Sequence, residues 1–242
     1  MAKKGSLLSY RPDIKVVDAT LRDGGLVNDF RFTKEFVKDL YDTNVKAGVD
    51  YMEFGYKAST DIFDEKDFGP WKFCKEDDIR EIVGDNDTSM KIAVMADVGR
   101  CDYKRDIINR ADSVIDLVRI ATYIHQIPAA IEMMGYETTV NIMAISNAKE
   151  AEIEEALSLL SQTPVDGIYI VDSYGSLYME QIEDLAAKYL EVAEKNGKFV
   201  GIHAHNNQQL AFANTISALT NGVSYLDATV SGMGRGAGNC AS

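Results

Sequence analysis

The amino-acid sequence predicts an α/β fold, a TIM (β/α)8 barrel of parallel strands. Three observations predict it: eight short apolar, β-branched runs, longer helical patterns between them, and polar residues recurring where the runs end. The 242 residues come close to the roughly 250 that such a barrel needs. No Pro-rich or Ser-rich linker divides them, so residues 1–242 read as one domain. A doubly wound open sheet is the alternative topology.

The strands are expected at "IKVVDA" (14–19), "YMEFGY" (51–56), "KIAVMAD" (91–97), "VIDLVRIA" (114–121), "VNIMAI" (140–145), "GIYIVD" (167–172), "FVGIHAH" (199–205) and "SYLDATV" (224–230). Helices are expected in "TKEFVKDLYDTNVKAG", "KEAEIEEALSLLSQ", "MEQIEDLAAKYLEVAEKNG" and "LAFANTISALTNG". Thr33 opens the first of these as an N-cap and Gly48 closes it. After strand eight the chain reads "GAGNCAS", where a barrel would begin its last helix. That helix is expected to be lacking, which leaves an apolar flank for a longer chain or a second copy to cover, and a homo-oligomer is one solution.

Composition narrows the function classes. Thirty-eight acidic against twenty-five basic residues give a net charge of −13, which repels nucleic acid and requires local cations wherever an anion binds. No run approaches the roughly 18 apolar residues of a membrane span. The start, "MAKKGSLLSYRPDIK", lacks the apolar stretch of a secretory signal, so a cytoplasmic location is expected. Cys74, Cys101 and Cys240 are widely spaced and form no C-x-x-C pair, as suits reduced thiols.

Of three histidines, His203 and His205 stand two apart in "GIHAHNN". On a strand, that spacing turns both imidazoles to one face, which in a barrel is the interior near the mouth. A shared cation offsets the cost of burying two such rings side by side. A carboxylate to join them comes from strand one. In "VVDATLRDGG", Arg22 and Asp23 lie just past the strand, where a turn is expected at Gly24 and Gly25. Two imidazoles and one carboxylate, without thiolate, suit Mn²⁺ or Mg²⁺, with Zn²⁺ and Co²⁺ as alternatives. Such an ion chelates a 2-oxo acid by its carboxylate and keto oxygens, while a neighbouring arginine stabilises the enolate. Arg22 is positioned for that part.

The loop "SGMGRGAGN" contributes Asn239 near the metal and glycines whose amides are expected to face an oxyanion. Other strand ends present Glu53 with Tyr56, Asp97, Arg119 with Thr122 and Tyr123, Asn147, and Asp172 with Ser173. Most of these are expected to support or pack around the site.

Together "DATLRDGG", "GIHAHNN" and "LDATVSGMGRGAGN" resemble the DRE-TIM metallolyases, the HMG-CoA lyase-like barrels. That superfamily includes 4-hydroxy-2-oxovalerate aldolase, hydroxymethylglutaryl-CoA lyase and isopropylmalate synthase, and the aldolases are the nearest in pattern. The resemblance implies metal ligation by Asp23, His203 and His205 with Asn239 close by, and enolate stabilisation by Arg22. It further implies that Ser173 lies near the oxo acid, while Thr122 and Glu53 are substrate-contact candidates from their places at the strand ends. Two departures stand out. Leu26 occupies the position of the aldolases' histidine base, which leaves Tyr56, Tyr123 or a water as candidates for that role. "GMGRG" also lacks the lyases' catalytic cysteine. The implied activity is aldol cleavage or formation next to a pyruvate-type 2-oxo acid, the small-molecule substrate. Alternatives are acyl-CoA-dependent condensation and a non-catalytic oxo-acid-binding barrel.

Overall fold

A computed structural model describes residues 11–127 and 136–242. Its strands are β1 (Lys15–Asp18), β2 (Tyr51–Tyr56), β3 (Lys91–Asp97), β4 (Leu117–Thr122), β5 (Glu137–Ile142), β6 (Gly167–Asp172), β7 (Phe199–Ala204) and β8 (Tyr225–Ala228). They pair in parallel in chain order, and β8 closes on β1 with Val17 opposite Asp227. The helices among the described residues are α1 (Thr20–Asn28), α2 (Lys34–Ala47), α3 (Glu76–Val83), α4 (Tyr103–Asp106), α5 (Glu150–Ser161), α6 (Met179–Lys195) and α7 (Ala211–Thr220). The closed barrel excludes the open-sheet alternative. None of the described helices is long and apolar enough to cross a membrane.

Local chemistry explains the boundaries. The hydroxyl of Thr33 accepts from the Phe36 amide at 3.2 Å to start α2, and Gly48 ends it in the left-handed region at φ 75°. β5 begins three residues before the apolar run that suggested it. Its first residues are Glu137, Thr138 and Thr139, polar side chains that hid the strand start, and Ala144 at φ 55° ends the extended backbone.

Side chains alternate between the helix layer and the lumen. Val17, Tyr51, Ala93 and Leu117 form a small apolar cluster separate from the main core of strand and helix faces. Nearer the strand ends the lumen is charged, with Glu53, Arg119 and Asp227 all buried. Gly201 is required there, because a Cβ would come within 2.3 Å of the Tyr169 ring. That ring in turn lies 4.3 Å beneath the Arg119 guanidinium.

After β8 comes a single 3-10 turn, Val230–Gly232, rather than a further α-helix. Residues 229–242 fold back toward the ends of β7 and β8. Cys240 N–H donates to Ala204 O, and Asn206 N–H donates to Gly238 O. Val16 and Leu226 on the outer faces of β1 and β8 stay half-buried, whereas β2, β4 and β6 are buried throughout.

Candidate metal centre and active site

Arg22 and Asp23 lie in the first turns of α1, directly after β1, and both are buried. The turn expected at Gly24 and Gly25 does not occur, since the helix runs through both. A Cβ on Gly24 would sit 2.7 Å from Met233 Sδ, and one on Gly25 2.2 Å from Phe30 Cδ1. These glycines therefore permit close packing, and the chain reverses later, at Asp29 and Phe30 with φ of 54° and 62°.

His203 and His205 reach the same region from the end of β7. Their rings are 4.9 Å apart at 84°, and their Nε2 atoms lie 3.6 and 3.4 Å from Asp23 Oδ2. One donor atom from each of the three residues falls within 4.8 Å of the others. Both Asp23 oxygens, both Nε2 atoms and Asn239 Oδ1 are buried without a hydrogen-bond partner. A buried polar atom left unpaired costs about 1–3 kcal/mol, and several orphaned around one point call for a shared ligand. Metal–ligand bonds of about 2.1 Å separate neighbouring donor atoms by roughly 3–3.4 Å, close to the distances found. This donor set fits a divalent cation.

The surroundings prepare the donors. His203 Nδ1 lies 2.9 Å from Asp227 Oδ2, and His205 Nδ1 lies 3.0 Å from the Asp172 carbonyl. Both acceptors hold the ring proton on Nδ1 and leave the Nε2 lone pair free. Arg22 Nε donates to Glu53 Oε2 at 2.8 Å, and its Nη1 is 3.2 Å from Asp23 Oδ1. Arg119 bridges Glu53 at 3.0 Å and Asp227 at 2.7 Å. Two guanidiniums thus face three buried carboxylates, an excess of one negative charge that favours a cation. Burial pushes the Asp23 carboxyl up, but Arg22 and the two histidines hold it well below the usual carboxylate range.

A cavity of about 410 Å³ opens above this network. Arg22, Asp23, His203 and His205 line it, as do Tyr56, Tyr123, Ser173 and Leu26. Tyr56 is buried, which raises its hydroxyl above the ordinary tyrosine range and keeps it protonated. Tyr123 is half-exposed and stacks on His125. Ser173 Oγ accepts from the Ala144 amide at 2.9 Å. Three of the residues expected to touch the metal or the substrate lie outside the cavity wall. Glu53 is beneath Arg22, Thr122 donates its hydroxyl to the Tyr123 carbonyl at 3.0 Å, and Asn239 packs behind Asp23 with its Nδ2 donating to Met233 O at 2.9 Å.

Part of the glycine-rich loop acts differently from expectation. The amides of Gly232, Gly238 and Asn239 donate within the loop, to Thr229, Arg235 and Gly232 carbonyls. Gly234 is small for a reason, since a Cβ there would lie 2.1 Å from Asn239 Nδ2 and 3.0 Å from Asp23 Oδ2. Asp172, at the end of β6, accepts from the amides of Ser176 and Leu177 at 3.1 Å.

Three residues of the site escaped sequence reading. Asp227 shares an inward face with Tyr225 and Thr229, a period-two signal in "YLDAT". Asn141 on β5 lines the cavity. Lys72, also in its wall, sits in "FDEKDFGPWKFC", where the crowding of aromatics around a lysine was the available signal.

Comparison with known proteins bears on the whole arrangement. The HMGL-like family model matches residues 13–242. The chain belongs to the HMGL-like family. It is 29% identical over 244 residues to 4-hydroxy-2-oxovalerate aldolase 6 of Rhodococcus jostii, a match covering 95% of this chain and 65% of that one. To 4-hydroxy-2-oxovalerate aldolase 1 of Nocardia farcinica it is 30% identical over 235 residues, 94% of this chain and 66% of the relative. It thus spans about two thirds of the length of these HMGL-like relatives. A crystallised N-terminal domain from Bacteroides vulgatus superposes with a TM-score of 0.72 at 27% identity, over 94% of this chain and 76% of that one.

Proposed function

We propose that this HMGL-like barrel is a divalent-metal-dependent carbon–carbon lyase of the aldolase type, acting next to the keto group of a pyruvate-type 2-oxo acid. The observation that carries the reading is the convergence of orphaned donor atoms from Asp23, His203, His205 and Asn239 beside the guanidinium of Arg22. The first three would hold the ion, with Asn239 close by, and two imidazoles with a carboxylate and no thiolate suit Mn²⁺ or Mg²⁺, with Zn²⁺ and Co²⁺ as alternatives. When bound, such an ion supplies Lewis acidity to the carboxylate and keto oxygens of the substrate.

The chain's own residues do the rest. Arg22 is locked by Glu53 and Asp23, so its charge faces the oxygen on which negative charge develops as the carbon–carbon bond breaks. Leu26 supplies no base, and Tyr56 stays protonated. Asp97 is a carboxylate in the cavity wall with Oδ1 buried and unpartnered. Burial raises its pKa against the pull of Lys72, Arg100 and Arg22, which makes its carboxylate a stronger proton acceptor than an exposed one. Ser173 and Tyr123 border the remaining space.

The test is exchange of pyruvate methyl protons with solvent deuterium in the presence of Mn²⁺, followed by NMR. Exchange that disappears in Arg22→Ala supports the reading. Protein that binds pyruvate and Mn²⁺ yet exchanges nothing is a binding barrel, and the reading is wrong. Release of free CoA from acetyl-CoA plus an oxo acid, without pyruvate formation from 4-hydroxy-2-oxo acids, would make it a condensing enzyme.

A further inference from the structure

Lys72 is a nearly fully buried cation, 7% exposed, in the cavity wall. Its ammonium is surrounded by aromatic faces, with ring centroids at 4.2 Å for Phe63, 4.8 Å for Tyr56, 5.1 Å for Phe30 and 5.4 Å for Phe68. Such faces stabilise a positive charge without consuming its hydrogen-bond donors. Among the described residues the ammonium has no hydrogen-bond acceptor and no carboxylate within ion-pair distance. A charge desolvated to this degree, which Asp97 compensates only from beyond ion-pair distance, is costly to keep. Structural lysines of this fold region behave otherwise, since Lys57 donates to the Cys74 carbonyl at 2.7 Å.

The location gives the lysine its partner. Tyr56 packs against Lys72 and feels Arg22, and Asp97 feels both cations, so Lys72 shares a cavity wall with the groups around Arg22. Arg100 and Arg235 border the same cavity. In a chain of net charge −13, a cavity wall that sets Arg22, Lys72, Arg100 and Arg235 against Asp23 and Asp97 is a local reversal of sign. One anion, the 2-oxo acid carboxylate, belongs with the metal and Arg22. Lys72 is left for a second.

Resting on the aldolase reading above, we propose that Lys72 is a specificity-determining residue that binds an anionic terminal group, carboxylate or phosphate, on the second substrate. The acceptor is then an acidic aldehyde. In the synthetic direction a bond forms between the methyl carbon of pyruvate and the aldehyde carbon, the methyl carbon loses a proton, and the aldehyde oxygen gains one. The product is a 4-hydroxy-2-oxo acid with a second acidic group at its far end, and no other reactant is needed.

The experiment compares kcat/KM for aldol addition of pyruvate to butanal, succinic semialdehyde and glyceraldehyde 3-phosphate, in the wild-type chain, Lys72→Met and Lys72→Arg. A charge-assisted hydrogen bond predicts that the wild type favours an anionic acceptor over butanal by about ten- to a hundredfold. The preferred acceptor identifies carboxylate or phosphate. Lys72→Met should bring the ratio toward one, mainly through KM, and Lys72→Arg should preserve most of it. The ratio, rather than the absolute rate, is the readout, so partial misfolding does not imitate the effect. Equal kcat/KM for all three acceptors in the wild type overturns the proposal with no variant needed, as does an unchanged ratio in Lys72→Met. Pyruvate methyl-proton exchange requires no acceptor and tests the aldolase reading separately. If exchange is absent, calorimetric titration with succinate and with inorganic phosphate decides the subsite: about tenfold weaker binding of either to Lys72→Met upholds it, and equal binding overturns it.

Discussion

The carboxylate of Asp227 lies 2.9 Å from Nδ1 of His203 and 2.7 Å from Nη2 of Arg119. It is buried in the barrel lumen, so it fixes the histidine tautomer from below while the guanidinium secures the carboxylate. Asp227→Asn keeps the volume but removes the charge that holds the ring proton on Nδ1. Loss of such a partner weakens metal affinity by about 10- to 100-fold. Titration with Mn²⁺, following free ion by electron paramagnetic resonance, measures this. Unchanged affinity would mean that His203 Nε2 is oriented by its strand alone.

Glu53 Oε2 accepts from both Arg22 and Arg119, at 2.8 and 3.0 Å, and all three side chains are buried. Glu53→Gln leaves two desolvated guanidiniums with fewer compensating charges. Removing one partner of a buried pair costs about 3–5 kcal/mol, and this glutamate serves two. Urea unfolding should show a loss of that order. Because Arg22 also loses its anchor, pyruvate exchange should fall by more than the folded fraction accounts for.

The sequence made legible what depends on local period and local chemistry. His203 and His205 share a face because strands repeat every two residues, and Thr33 and Gly48 bound α2 because caps are local. Arg22 and Asp23 were recognisable as residues, but their helix was not. Gly24 and Gly25 look like a turn until Met233, more than two hundred residues later, fills the space a Cβ on Gly24 would need, and Phe30 fills that of Gly25. The charged lumen was hidden for the same reason. Arg119 finds Glu53 and Asp227 at separations of 66 and 108 residues, and only barrel closure brings them together. Lys72 depends on four rings, and although Phe63 and Phe68 are near it in sequence, Phe30 and Tyr56 come from just after α1 and from β2.

Asp97 is not among the proposed metal donors, so its substitution separates proton transfer from ion binding. Asp97→Asn should lower pyruvate methyl exchange by about 10²- to 10⁴-fold, the range for loss of a general base, with Mn²⁺ affinity retained. Burial raises this carboxyl, so its basic form appears only above the usual carboxylate range. The wild-type exchange rate should therefore rise with pH through that raised value and then level off. A variant with the wild-type rate and pH profile would remove Asp97 from the reaction.

Asp18 offers a pH test of the fold itself. Its side chain is 4% exposed, accepting from the Thr20 hydroxyl at 2.7 Å and the Thr20 amide at 3.2 Å. Burial outweighs these bonds and pushes the carboxyl up to about 6 from an ordinary 3.8. A raised folded-state pKa means that the native state binds the proton more tightly than the unfolded chain does. The associated stability is complete below the unfolded value and is lost as pH rises through the folded one. Between pH 5 and pH 8 the loss amounts to about 1.4 kcal/mol. Asp18→Asn cannot titrate, so relative to wild type it should gain about that much between the two pH values, whatever its stability at pH 5. Paired urea melts at pH 5 and pH 8 measure the difference. A constant gap between variant and wild type would show that Asp18 keeps its charge in the folded protein at both pH values.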